Sequence, residues 1–90
     1  MVTNVISFDI SKPYAHWKSA FDEASSFLAD AGFEMVYVGH TVTDESKCIL
    51  IIRTPTVEEL EAFMGQEAMQ PVMIESGHIL ESTKIVSCAG

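Results

Sequence analysis

The segment that most limits the fold of this chain is Cys48-Ile49-Leu50-Ile51-Ile52, five consecutive apolar residues bounded by Lys47 and Arg53. A run of this length between charges reads as a β-strand. Alternate strand residues point to opposite faces, so Cys48, Leu50 and Ile52 face one way and Ile49 and Ile51 the other. A strand in an antiparallel sheet with one wet face should alternate apolar and polar residues, and this one does not. The segment 33–42 reads as a second strand of the same kind, with Met35 and Tyr37 opposing Val36, Val38 and Val42. Both faces of the sheet are therefore apolar near its centre. Helices of the same chain can cover one face, and large exposed apolar patches are rare in soluble monomers. A second copy of the chain is the simplest cover for the other, giving a two-fold dimer through the sheet. Burying ~600 Å² in this way is worth on the order of 15 kcal/mol before association costs.

The remaining elements follow at short spacing. Residues 2–8 form a first strand rich in Val, Ile and Phe. Ser11-Lys12-Pro13 marks a helix start, with Ser11 near the N-cap and Pro13 in the first turn. Trp17, Phe21, Ala24, Leu28 and Ala31 then recur at helical spacing, and Gly32 is the residue expected just past a helix end. A polar turn at residues 43–46 joins the second strand to a third at 47–53 as a hairpin. Thr56 and Glu59 have capping-box spacing, and Val57, Leu60, Phe63 and Met64 form the apolar face of a second helix. Gly65 breaks or kinks that helix. A further helical piece runs over about 67–76, with Pro71 limiting its regularity, and Gly77 closes it before a last strand at 79–87. The order βαββαβ predicts a single ferredoxin-like α+β domain over residues 1–90, a four-stranded antiparallel sheet with two helices on one face. In that topology Cys48 and Cys88 lie at opposite ends of the sheet, beyond disulfide reach.

Charge narrows the function. Lys and Arg total 5 against 13 Asp and Glu, a formal net charge of −8. That balance argues against a nucleic-acid backbone or an anionic membrane surface as partner. No apolar run approaches the ~18 residues of a spanning helix. No basic segment precedes an apolar stretch at the start, so a secretory leader is not expected, and the two free thiols fit a cytoplasmic protein. Zinc-type Cys/His spacing, a glycine-rich phosphate loop and an arguable Ser/His/Asp order are all missing. No metal and no cofactor are expected. The pairs Asp22-Glu23 and Glu58-Glu59 read as solvated helix faces.

This order of elements, with Trp17 four residues before Phe21 and Ala31-Gly32-Phe33 opening the hairpin, resembles the dimeric α+β barrel superfamily. That superfamily includes cofactor-less antibiotic-biosynthesis monooxygenases, haem-degrading monooxygenases, chlorite dismutase relatives and stress-induced barrel proteins. Phe8-Asp9-Ile10-Ser11-Lys12 with Trp17, and Glu75-Ser76-Gly77-His78 with Ser82-Thr83-Lys84, look more narrowly like a family of small uncharacterised proteins common in marine cyanobacteria. The resemblance implies two sheets packed face to face and a ligand pocket between sheet and helices. The haem-degrading members carry an iron-ligating histidine on the second helical region. Here residues 67–76 contain none, and Met73 falls near that register.

Three readings of function follow, since fold alone does not fix chemistry. The first is a small dimeric barrel protein that binds an apolar or aromatic ligand between sheet and helices, with Trp17, Met64, Met73 and His78 as ligand contacts. The second is a cofactor-independent monooxygenase of the antibiotic-biosynthesis type, with His40 as base, Tyr37 hydrogen-bonding a phenolic or carbonyl substrate, and Asn4, which resembles a first-strand Asn of some members, holding substrate or oxygen. Tyr37 and His40 are three apart and fall on opposite strand faces unless Gly39 forms a bulge. The third is a regulatory or stress-associated module whose acidic surface meets a basic partner. Each residue also has a plainer role: His40 as a strand-end residue, Tyr37 and Trp17 as packing rings, Asn4 as a frayed strand start, and Met64, Met69 and Met73 as core filler. His78 with Glu75 is either a pH-sensitive pair or the first residue of a strand.

Overall fold

The computed structural model describes residues 1–90. Strand β1 (Val2–Ile10) is followed by helix α1 (Tyr14–Asp30) and the hairpin β2 (Glu34–His40) and β3 (Lys47–Thr54). Helices α2 (Val57–Met64) and α3 (Met69–Ser76) precede the last strand, β4 (His78–Cys88). The four strands form one antiparallel sheet in the order β2-β3-β1-β4, with the helices on one face. This is the βαββαβ plan expected from the sequence, with the second helical layer split into two helices of eight residues each.

Local chemistry fixes the helix ends. Pro13, in extended conformation with ψ 145°, is the N-cap of α1, and its carbonyl accepts from the amides of His16 and Trp17 at 3.0 and 3.2 Å. The N-cap therefore falls two residues after Ser11, whose hydroxyl instead donates to the Gly77 carbonyl at 3.3 Å. At the other end Gly32 takes φ +80°, its amide bonds to Ala29 O, and the Phe33 amide bonds back to Leu28 O at 3.0 Å. This Schellman closure places Phe33 and Leu28 together in the core. The Thr56 hydroxyl caps α2 by accepting from the Glu59 amide at 3.1 Å. Gly77 closes α3 at φ +98°, where a Cβ would also lie 3.0 to 3.1 Å from Lys12.

The pleat sorts the strand residues. Asn4, Ile6 and Phe8 of β1 pair with Ile52, Leu50 and Cys48 of β3, and all six are buried under the helices. Trp17, Leu28, Phe33 and Leu60 close the core from the helix side and its edges. On the other face lie Val5, Ile49 and Ile51, half-buried by their neighbours, and the exposed Tyr37 and Val86. That face is apolar, as strand parity requires.

Two irregularities depart from the expected pleat. In β2, Met35 pairs with Ile52 and Tyr37 with Ile51, so Val36 is an extra residue. The bulge sits at Val36 and not at Gly39. It puts Met35 and Val38 on the helix face together, instead of on opposite faces. Val42 lies beyond the strand and is fully exposed. Between β1 and β4 the register jumps from Ser7–Lys84 to Asp9–Ile79, so residues 80–83 stand opposite Phe8 alone. The backbone groups freed by this wide bulge are met by Ser82, whose hydroxyl accepts from the Asp9 amide at 2.8 Å and donates to Ile79 O at 2.6 Å.

Candidate functional site

Between the sheet and the helices lies an apolar cavity of about 100 Å³. Ile6, Phe8, Leu50 and Ile52 form its floor. One wall is α1, through Trp17, Ala20, Phe21, Ala24 and Leu28. The roof is Leu60, Phe63 and Met64 of α2 with Met69, Val72 and Met73 of α3. Ser76 and His78 are the two polar residues in the lining. Phe8, Trp17, Phe21 and Phe63 bring four aromatic rings to the inner surface: Trp17 stacks on Phe21 at 5.1 Å between centroids, and Phe8 meets Trp17 at 5.3 Å. The roof methionines are flexible, polarisable side chains that can yield to a guest.

His78 has the most unusual environment in the molecule. Its ring stacks on Phe8 at 4.0 Å and 6°, and 9% of the residue is exposed. Burial disfavours the imidazolium and lowers its pKa to about 4, so the ring is neutral at physiological pH. Its Nε2 is 2.7 Å from the Thr83 hydroxyl. Glu75 does not pair with it. The Glu75 carbonyl instead accepts from Lys12 Nζ at 2.6 Å and is 3.2 Å from His16 Nε2, which ties the β1–α1 turn to the end of α3.

The seven residues singled out from the sequence separate into two groups. Trp17, Met64, Met73 and His78 all line the cavity. Asn4, Tyr37 and His40 do not, and they do not converge on any common pocket. Asn4 is wholly buried, not frayed. Its amide donates to Ile52 O at 3.1 Å and Thr54 Oγ1 at 3.0 Å, and its oxygen accepts from Ser87 at 2.8 Å. These bonds tie β1 to both neighbouring strands and leave the side chain no free polar atom aimed at a guest. Tyr37 lies on the open sheet face with its ring over Gly39, where an added Cβ would be 2.8 Å from Cζ. His40 is on the helix face but exposed at the sheet edge, edge-on to Tyr14 at 4.5 Å, with Nδ1 2.8 Å from Thr41 O. The joint Tyr37–His40 site needed a bulge at Gly39, and the bulge at Val36 leaves them on opposite faces.

Sequence reading missed Ser76 and Thr83. Ser76 precedes the αL glycine, and Thr83 reaches His78 only because the wide bulge carries it there, so no periodic signal marks either. Cys48 and Cys88 are free thiols at opposite ends of β1, and burial pushes the Cys48 thiol up to about 11, an inert form. No three His, Cys, Asp or Glu side chains gather where they could hold a metal ion. No helix is long and apolar enough to cross a membrane.

A sequence-family profile described as a domain of unknown function (DUF3764) matches residues 1–89. The chain belongs to this family. No curated protein is significantly similar to it in sequence. Solved structures are similar in fold. A candidate antibiotic biosynthesis monooxygenase from Bordetella bronchiseptica superimposes with a TM-score of 0.78 at 13% identity, over 99% of this chain and 95% of that one. SnoaB, a cofactor-independent oxygenase from Streptomyces nogalater, gives a TM-score of 0.70 at 14% identity, over 99% and 91% of the two chains. An uncharacterised NIPSNAP domain protein from Burkholderia xenovorans gives 0.70 at 7% identity, over 100% and 94%. The DUF3764 chain thus has the ferredoxin-like fold of antibiotic biosynthesis monooxygenases, which are among the members of the superfamily its element order resembles. At these identities the likeness is one of fold.

Proposed function

We propose that this DUF3764 protein binds a small apolar or aromatic ligand in the cavity between sheet and helices, as a cytoplasmic homodimer joined through the open sheet face. The observation that carries the reading is the cavity itself, whose wall is apolar except for Ser76 and His78. A wall of this kind favours binding over chemistry, because His78 is its one titratable side chain and no carboxylate, lysine or arginine stands beside it in the lining. The oxygenase reading needs a base in the cavity. His78 is the imidazole there, and a ring weakened to about pKa 4 is a better hydrogen-bonding partner than proton acceptor at neutral pH. The dimer is supported by the apolar face of Val5, Ile49, Ile51, Tyr37 and Val86, which nothing in one chain covers. Cys88 is an exposed free thiol, a state that a reducing compartment maintains.

Native mass spectrometry of the purified protein tests both parts. The expected spectrum shows two chains with a retained mass of one or two hundred daltons per chain, on the order of a small aromatic molecule. Ile51→Lys, placed at the middle of the open face, should give single chains that keep the retained mass. A wild-type spectrum of single chains at micromolar concentration would sink the dimer. A ligand-free dimer that also binds none of a panel of small aromatic compounds would sink the ligand site.

A further inference from the structure

We infer that the cavity is selective for a single aromatic ring bearing one neutral hydroxyl, a phenol-sized molecule whose oxygen is held by His78 and Ser76; this rests on the cavity being a ligand site.

Size sets the ring count. An apolar cavity of ~150 Å³ is enough to bind benzene, and this one measures about 100 Å³. Rotamer changes of Met64, Met69 and Met73 can supply the difference for one ring, because methionine repacks at low cost. A second fused ring would press on the Trp17–Phe21 stack, whose Trp17 belongs to the core.

The polar end sets the substituent. The Thr83 hydroxyl lies 2.7 Å from His78 Nε2, and in the tautomer we assign it donates to that nitrogen, which places the imidazole proton on Nδ1. In that tautomer Nδ1–H has no acceptor in the protein, and it is not sealed off, since Arg53 Nε is the one sealed side-chain polar atom without a partner; His78 lines the cavity. Ser76 has the complementary deficit. Its proton is donated to Met73 O at 2.6 Å, which leaves its lone pairs open. The lining therefore offers one donor and one acceptor. A phenolic oxygen accepts from the first while its O–H donates to the second. A carboxylate fits poorly, since no cationic side chain lines the cavity and burying an unpaired charge is costly.

The test uses protein labelled with ¹³C at the methionine methyl groups, because Met64, Met69 and Met73 report the site directly. Phenol, toluene, benzoate and 1-naphthol are titrated into wild type, His78→Phe and Ser76→Ala. Phenol should shift the three methyl signals saturably and bind about tenfold tighter than toluene, a margin within the net value of two hydrogen bonds. Benzoate and 1-naphthol should bind more weakly than phenol. His78→Phe keeps a ring against Phe8 and should bring phenol down to the toluene level, with toluene itself within about twofold of wild type. Ser76→Ala should remove part of the same preference if the first variant does not fold. Equal binding of phenol and toluene by wild type, or an unchanged preference in the folded variants, would refute the polar pairing. Tighter binding of 1-naphthol would refute the single-ring size while leaving the cavity a ligand site. No shift with any compound would overturn the inference and the ligand-site reading together.

Discussion

Acid should destabilise this fold through His78 before the carboxylates titrate. Burial alone lowers its folded pKa to about 4, against 6.5 for a free imidazole. As pH falls below neutral, the unfolded chain takes up the proton first, so the unfolded state gains and stability drops. The contribution is complete above about pH 6.5, is lost progressively between 6.5 and 4, and is constant below that. Linkage over the two values gives about 2 kcal/mol lost between pH 7 and pH 5, at ~1.4 kcal/mol per pKa unit. Residual solvent at the ring trims this to between about 1 and 2 kcal/mol. For a domain of this size the melting temperature should fall by on the order of 10 °C over that range. The assay is thermal unfolding at fixed protein concentration from pH 7 to 5, for wild type and His78→Gln, with the ring followed by NMR. His78→Gln lowers stability overall but should flatten the pH slope, and the slope is the readout. A slope equal to that of wild type, or a ring that titrates at or above 6.5, would show that burial does not hold this imidazole neutral.

Gly77→Ala should cost about 2–3 kcal/mol in urea unfolding, because it forces a side chain into φ +98° and against Lys12 at 3.0 Å. Asn4→Ala should cost about 2–3 kcal/mol by the same measurement, since it leaves three polar partners on β3 and β4 without their bond to β1, while leaving ligand shifts at the roof methionines unchanged. An Asn4→Ala protein of wild-type stability would argue that Asn4 serves a ligand and not the sheet. Thr56→Ala should cost about 1 kcal/mol through loss of the α2 cap, with the far-ultraviolet spectrum little changed.

Much of this protein is legible in one dimension because the deciding interactions are local. The Trp17–Phe21–Ala24–Leu28 stripe, the Gly32 and Gly77 stops and the Thr56 cap each depend on neighbours a few residues away, and each appears where the sequence places it. The two apolar faces of β3 follow from pleat parity alone, and with them the need for cover on both sides. Parity fails where the chain inserts residues. The extra Val36 flips the sense of β2, and residues 80–83 deliver Thr83 to His78. Both bulges are set by how β3 and β1 accept their partners across the sheet, and no periodic pattern records that. Asn4 looked like a substrate ligand because it resembles a first-strand Asn of some monooxygenases, while its three hydrogen-bond partners, 48 to 83 residues away, are not visible in the sequence. The sequence by itself determined the order of elements, the helix ends and the two-faced sheet. Only the tertiary structure decided that four scattered side chains share one cavity with Ser76, because a void is what remains when distant elements have packed.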